Sequence, residues 1–235
     1  MSRTTYSERA DRFDRELVEA ASASDADEKL AAMLTDPALD HREQILAAAT
    51  LGEARGPAGS AALRHVFSTA TTDMSTAGKG TRAGYRDLVC ACVVALARRD
   101  GPRATDIYVA AANSANSIVR DYGTSTLAIA GDDRAWEQAM TRLDGILRRK
   151  INAQGYRASE VLHTIEYLAR YAGRGSDRAT RLVTLVRGRW RNLPDPGRIE
   201  QRYPAIQPHG CRAEDLDLPA AHTPNPLWLG RPPRH

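Results

Sequence analysis

The chain has 235 residues and a formal charge of +4, with 42% hydrophobic and only 6% aromatic residues. Such a composition supports a substantial core, and its wealth of alanine and scarcity of aromatics favour closely packed helices over sheets. It excludes a helical membrane span, because no apolar run approaches the length of about 18 residues that a bilayer requires. The segment Met1-Ser-Arg-Thr-Thr-Tyr6 lacks the apolar stretch of a signal peptide, and the odd set Cys90, Cys92 and Cys211 has no metal-ligand or disulfide framework around it. These features predict a cytoplasmic protein in which Cys90 and Cys92 are buried, inert thiols.

In chain order, Thr5-x-x-Glu8 and Asp25-x-x-Glu28 have capping-box spacing and open predicted helices at 6–22 and 26–34. Asp36-Pro37 stops the second, and Asp40-x-x-Glu43 caps a third that carries Ile45, Leu46, Ala49 and Leu51. Beyond the Gly56-Pro57 break, Leu63, Val66, Phe67 and Ala70 recur at helical core spacing. Residues 71–82 are small and polar and read as a flexible connection. They hold a Gly78-Lys79 pair, but Asp73 and Gly80 stand where a phosphate loop needs a glycine and a hydroxyl, so no nucleotide site is assigned.

Leu88, Val89, Cys92, Val93 and Leu96 form the next helix, ended by Gly101-Pro102, and Ile107 to Ala112 begins another. Asn113 to Asn116 turns into a segment from Ile118 to Asp133, and Trp136, Met140, Leu143 and Leu147 mark its return helix. A last pair carries Val161, Ile165, Leu168, Ala169 and Ala172 on one helix, then Leu182, Leu185, Val186 and Trp190 on the other.

A phrase that ends one apolar helix at a turn recurs with a loose period of about 40 residues. It appears as Leu51–Pro57, Leu96–Pro102, Ile129–Asp133 and Leu168–Gly173. The copy from Ile118 to Leu147, with Val119-Arg120, a Gly131-Asp132 turn and an amphipathic second helix, resembles a HEAT repeat. The resemblance spans about residues 25–191. It implies an all-α, right-handed HEAT-like α–α solenoid of about five helix pairs across a domain at 1–191.

From 192 to 235 the composition changes, with nine of the twelve prolines lying between Pro194 and Pro233. No helical or strand periodicity is evident there, so an extended tail is predicted, packing back near Tyr203 and Ile206. Its end, with Pro224, Pro226, Leu227, Trp228 and Leu229, reads as a docking element for a protein partner.

Little in the chain points to catalysis. His41 sits in a first helical turn, while His65 and His163 project away from their apolar stripes and read as surface groups. His209, His222 and His235 fall in the tail, Asp132 and Asp133 read as a helix cap, and no metal or cofactor is assigned. Charge is distributed unevenly: the first fifty residues are acidic and the stretch from Arg148 to Arg202 is strongly basic, almost entirely through arginine. Coding bias in an arginine-rich bacterial proteome explains part of that excess. Arg148, Arg149, Arg170, Arg174, Arg181, Arg187 and Arg191 nevertheless form a candidate surface for nucleic acid or an acidic partner.

The sequence therefore predicts a non-catalytic interaction or scaffolding module with a protein partner, and a nucleic-acid-binding protein as the second reading. A HEAT-like DNA glycosylase, with Trp136 and Trp190 as its available aromatics, is the enzymatic variant of that second reading.

Overall fold

The computed structural model describes residues 3–152 and 156–208, and their regular structure is entirely helical, with eleven α-helices and no strand among them. The chain divides into two compact units, the first running through Gly101 and the second beginning at Pro102.

The first unit contains α1 (Arg3–Ser22), α2 (Ala26–Thr35), α3 (His41–Leu51), α4 (Pro57–Thr76) and α5 (Lys79–Arg99). Helix α5 packs against α3 and α4, and α2 packs against the same two helices. Ala47, Ala48, Ala62, Ala70 and Ala95 line these contacts as buried small residues, which allows close approach around Leu34, Leu51, Leu63 and Leu96. Each of these fully buried leucines contributes about 1.5–3 kcal/mol of transfer free energy. Cys90 and Cys92 are both buried, and burial pushes the Cys92 thiol up to about 12.

Of the three expected caps, only the third takes its sequence form. Helix α1 starts at Arg3, ahead of Thr5, and Asp25 makes no side-chain cap bond, pairing instead with Lys29 at 2.9 Å. Asp40 and Glu43 do form the reciprocal capping box of α3, while Glu43 also receives the Arg9 guanidinium at 2.8 and 2.5 Å. Arg9 holds the Glu43 carboxyl below its ordinary range. The predicted flexible connection at 71–82 is a correction: α4 continues to Thr76 and α5 starts at Lys79, leaving a short turn between them.

Asp27 and Arg99 form a buried ion pair at 2.5 Å that ties α2 to α5. Arg99 also donates to the carbonyls of Leu51, Ala54 and Gly56 and to Ser60 Oγ, so its guanidinium closes the end of α3 and the entry to α4. Asp27 in turn accepts from the Gly59 amide at 3.1 Å. The pair leaves few of its hydrogen-bonding positions empty, a requirement for holding two charges out of water.

The second unit contains α6 (Thr105–Ala112), α7 (Ser117–Ala130), α8 (Trp136–Leu147), α9 (Tyr156–Arg170), α10 (Asp177–Gly188) and α11 (Pro196–Arg202). Helix α7 is central, packing against α6 on one side and α9 on the other. Gly123 permits the first contact, because a Cβ there would lie 2.5 Å from the Ala111 carbonyl carbon. Trp136 is buried and donates its indole N–H to the Leu168 carbonyl at 3.0 Å, joining α8 to α9. Tyr167 and Tyr171 donate from α9 to the carbonyls of Asp132 and Gly131, each at 2.5 Å.

The composition break at 192 is not accompanied by loss of structure. Asp195 accepts from the Arg198 amide and Pro196 occupies the first turn of α11, a helix that proline counting does not anticipate. Leu193, Ile199, Tyr203 and Ile206 are buried, in line with the predicted packing near Tyr203 and Ile206. No helix among the described residues is long and apolar enough to cross a membrane.

Candidate anion-binding cleft

An open cleft of about 900 Å³ in the second unit is lined by Arg120, Arg142, Arg148, Arg149, Lys150 and Arg157. These cations come from four places in the fold. Arg120 lies in the first turn of α7, Arg142 in the middle of α8, and Arg157 at the start of α9, while Arg148 to Lys150 follow the end of α8. Asn192 pins that last segment on both sides: its side chain donates to the Leu147 carbonyl at 2.7 Å, and its carbonyl accepts from the Ile151 amide at 3.2 Å. The rim of the cleft is thus a fixed bend carrying three consecutive cations.

The inner arginines are organised by Glu160, which is 1% exposed. Its carboxylate receives Arg142, receives Arg157 at 3.1 Å and lies 3.6 Å from Arg120 Nε. Arg120 also donates to the carbonyls of Ser114 and Ala115, and Arg142 to Asn113 Oδ1, so their positions are set from more than one direction. One carboxylate cannot neutralise three guanidiniums. The Nε groups of Arg120 and Arg142 are both buried and lack a hydrogen-bond acceptor. At the rim, Asp144 pairs with Arg148 at 3.2 Å and lies 3.7 Å from Arg189. The cleft therefore keeps a net positive charge after its two neighbouring acids are counted, in a concave setting that strengthens the field.

Behind Glu160 the seam between α7 and α9 holds further ionisable groups. His163 Nδ1 lies 3.0 Å from Glu166 Oε2, and Arg202 from α11 reaches the other Glu166 oxygen. Burial raises the Asp121 carboxyl above its ordinary value, opposed by His163 and reinforced by Glu160. Burial also lowers His163, with Asp121 acting against it and Arg198 and Arg202 acting with it. His163 is consequently no free surface group, a correction to its reading from the helical wheel. Among the described residues, no three His, Cys, Asp or Glu side chains converge as a metal-ligand group.

The seven arginines predicted as one basic surface separate. Arg148 and Arg149 line the cleft. Arg170 donates to the Ala128 and Ile129 carbonyls at the end of α7, and Arg187 to the Ala205 and Ile206 carbonyls. Arg181 makes a two-pronged pair with Glu137 at 2.8 and 2.7 Å and lies over the Trp136 ring. Arg174 and Arg191 are exposed and do not line the cleft. The predicted docking residues Pro224, Pro226, Leu227, Trp228 and Leu229 lie outside the described residues.

Arg120, Arg142 and Arg157 are the site residues that the sequence did not single out as a surface. Their grouping depends on α7 lying beside α9, a pairing that local periodicity does not reveal. Trp136, proposed as an available aromatic, is fully enclosed and joins helices instead. Comparison of the chain with protein-family profiles, with curated proteins and with solved structures gives no match.

Proposed function

We propose that the chain is a non-catalytic binding module built on HEAT-like helical repeats, and that it takes the phosphate backbone of a nucleic acid in the cleft of its second unit. The observation that carries this reading is the convergence of six cations on one concavity, where the ion pairs of the described residues bring them only the carboxylates of Glu160 and Asp144. Cations so placed displace condensed counterions from a polyanion, a source of affinity that does not depend on base sequence. Among the described residues no aromatic side chain lines the cleft, and this arrangement supports backbone contact rather than base stacking.

The protein-docking reading rested on the composition of the tail, and no feature of the described residues favours it over the cleft. The test is fluorescence anisotropy of the whole chain with a labelled duplex of about 20 base pairs at increasing salt. Binding that weakens steeply as salt rises supports the proposal. Absence of binding at low salt, or binding insensitive to salt, overturns it.

A further inference from the structure

The first unit carries a second cleft, of about 490 Å³ and opposite in electrostatic character. Its volume lies in the range of small-molecule sites, about 300–1,000 Å³. No lysine or arginine lines it, whereas Asp40 and Asp73 do. The Asp40 carboxylate already caps α3, accepting from the Glu43 amide at 3.0 Å. Asp73 is different, since no hydrogen bond or ion pair from a described residue engages its carboxylate.

The walls of this cleft are built by sequence in two ways. On α4, His65, Thr69 and Asp73 follow one another at four-residue intervals and form a polar edge, with the buried Val66 and Ala70 beside them. The same cleft carries an aromatic corner, where the rings of His41 and Tyr85 meet edge to face with centroids 4.3 Å apart. Gly84 makes that corner: a Cβ there would lie 2.7 Å from His41 Cγ, so any larger residue would displace the imidazole. Leu34 and Leu88 close the apolar side.

We propose that this cleft binds a small aromatic amine, with the ammonium group at Asp73 and the ring against Tyr85, His41 and the apolar side. An unengaged carboxylate in a cleft lined by no lysine or arginine selects a positive group, and an edge-to-face corner extends readily to a third ring. An anionic ligand of the same shape meets Asp73 and Asp40 with no lysine or arginine on the cleft wall to compensate it. The proposal is independent of the basic cleft.

The experiment is an NMR titration of the whole chain with phenethylamine, following the imidazole signals of His41 and His65 and the ring signals of Tyr85. Phenylacetate, which inverts the ligand charge, is titrated in parallel. Saturable shifts of His41 and Tyr85 with phenethylamine, at least about fivefold weaker in D73N and in Y85L and absent with phenylacetate, are the expected result. Far-UV circular dichroism establishes that both variants remain folded, and D73N, at a partly exposed helix position, preserves side-chain shape if Y85L does not fold. No saturation by about 10 mM phenethylamine, equal binding of phenylacetate, or indifference to D73N would each overturn the proposal.

Discussion

Replacing Arg148, Arg149 and Lys150 together by alanine is the sharpest perturbation of the basic cleft, because these three cations form its rim and make few internal contacts. In the wild type, six cations stand against Glu160 and Asp144, leaving about four net charges; at about 0.9 per neutralised phosphate, log K falls against log salt with a slope near −3.6. Affinity then drops about 150-fold between about 50 and 200 mM salt. The triple variant retains Arg120, Arg142 and Arg157 against the same two acids, about one net charge, so the same salt change costs only about 3.5-fold. Anisotropy with a labelled duplex reads both slopes. The companion variant R174A/R191A removes exposed arginines outside the cleft and is expected to change the slope by less than about 0.5. A wild-type slope shallower than about −1, or an equal effect from the two variants, would show that the cleft is not the seat of binding.

Three further outcomes test the packing that supports the sites. Asp27→Asn leaves Arg99 buried without its counter-ion and is expected to cost about 3–5 kcal/mol, lowering the thermal midpoint of the first unit by about 10 °C or more. The control Glu53→Gln, at the exposed Arg98 pair, should cost under about 1 kcal/mol, and equal effects would contradict the burial argument. Gly123→Ala forces α7 away from the Ala111–Ala112 backbone and should destabilise by about 1–3 kcal/mol in urea; a neutral result would mean that the contact is not tight. His163 titrates in a place where burial, Arg198 and Arg202 depress its folded value while Asp121 and the hydrogen-bonded Glu166 face it. The unfolded chain therefore binds protons first as pH falls, so this contribution to stability is retained above the ordinary value of 6.5 and lost on going below it. His163→Gln should flatten unfolding free energy measured between about pH 7 and 5; an unchanged pH dependence would count against the burial of this ring.

The helical character was legible because glycine and proline punctuate the chain where the apolar period breaks. Pro57 does open α4, and α5 does end just before Gly101-Pro102. Segment 71–82 misled because small polar residues resemble a loop, yet the hydroxyls of Thr71 and Thr72 bond back to the carbonyls of Phe67 and Ser68 within a continuing helix. Helix α11 carried a readable signal in Asp195-Pro196, a cap followed by proline in the first turn, but the surrounding prolines obscured it. The cleft was half legible. The run Arg148-Arg149-Lys150 is visible in any charge plot, whereas Arg120 and Arg142 are single residues that join it through the packing of separate helices.

The same packing separates a compositional excess of arginine from a binding surface. An arginine lying off an apolar stripe is not thereby free: Arg170 and Arg187 reach carbonyl groups left open at chain turns, and Arg99 reaches three of them from inside the core. Those cations hold their own unit together, and replacing them tests packing rather than the cleft. A high arginine content does not by itself place Arg120, Arg142 and Arg157 around one buried carboxylate. Glu160 is too little charge to cancel them and is enough to keep them together, which is the condition for a preorganised receptor of external anions.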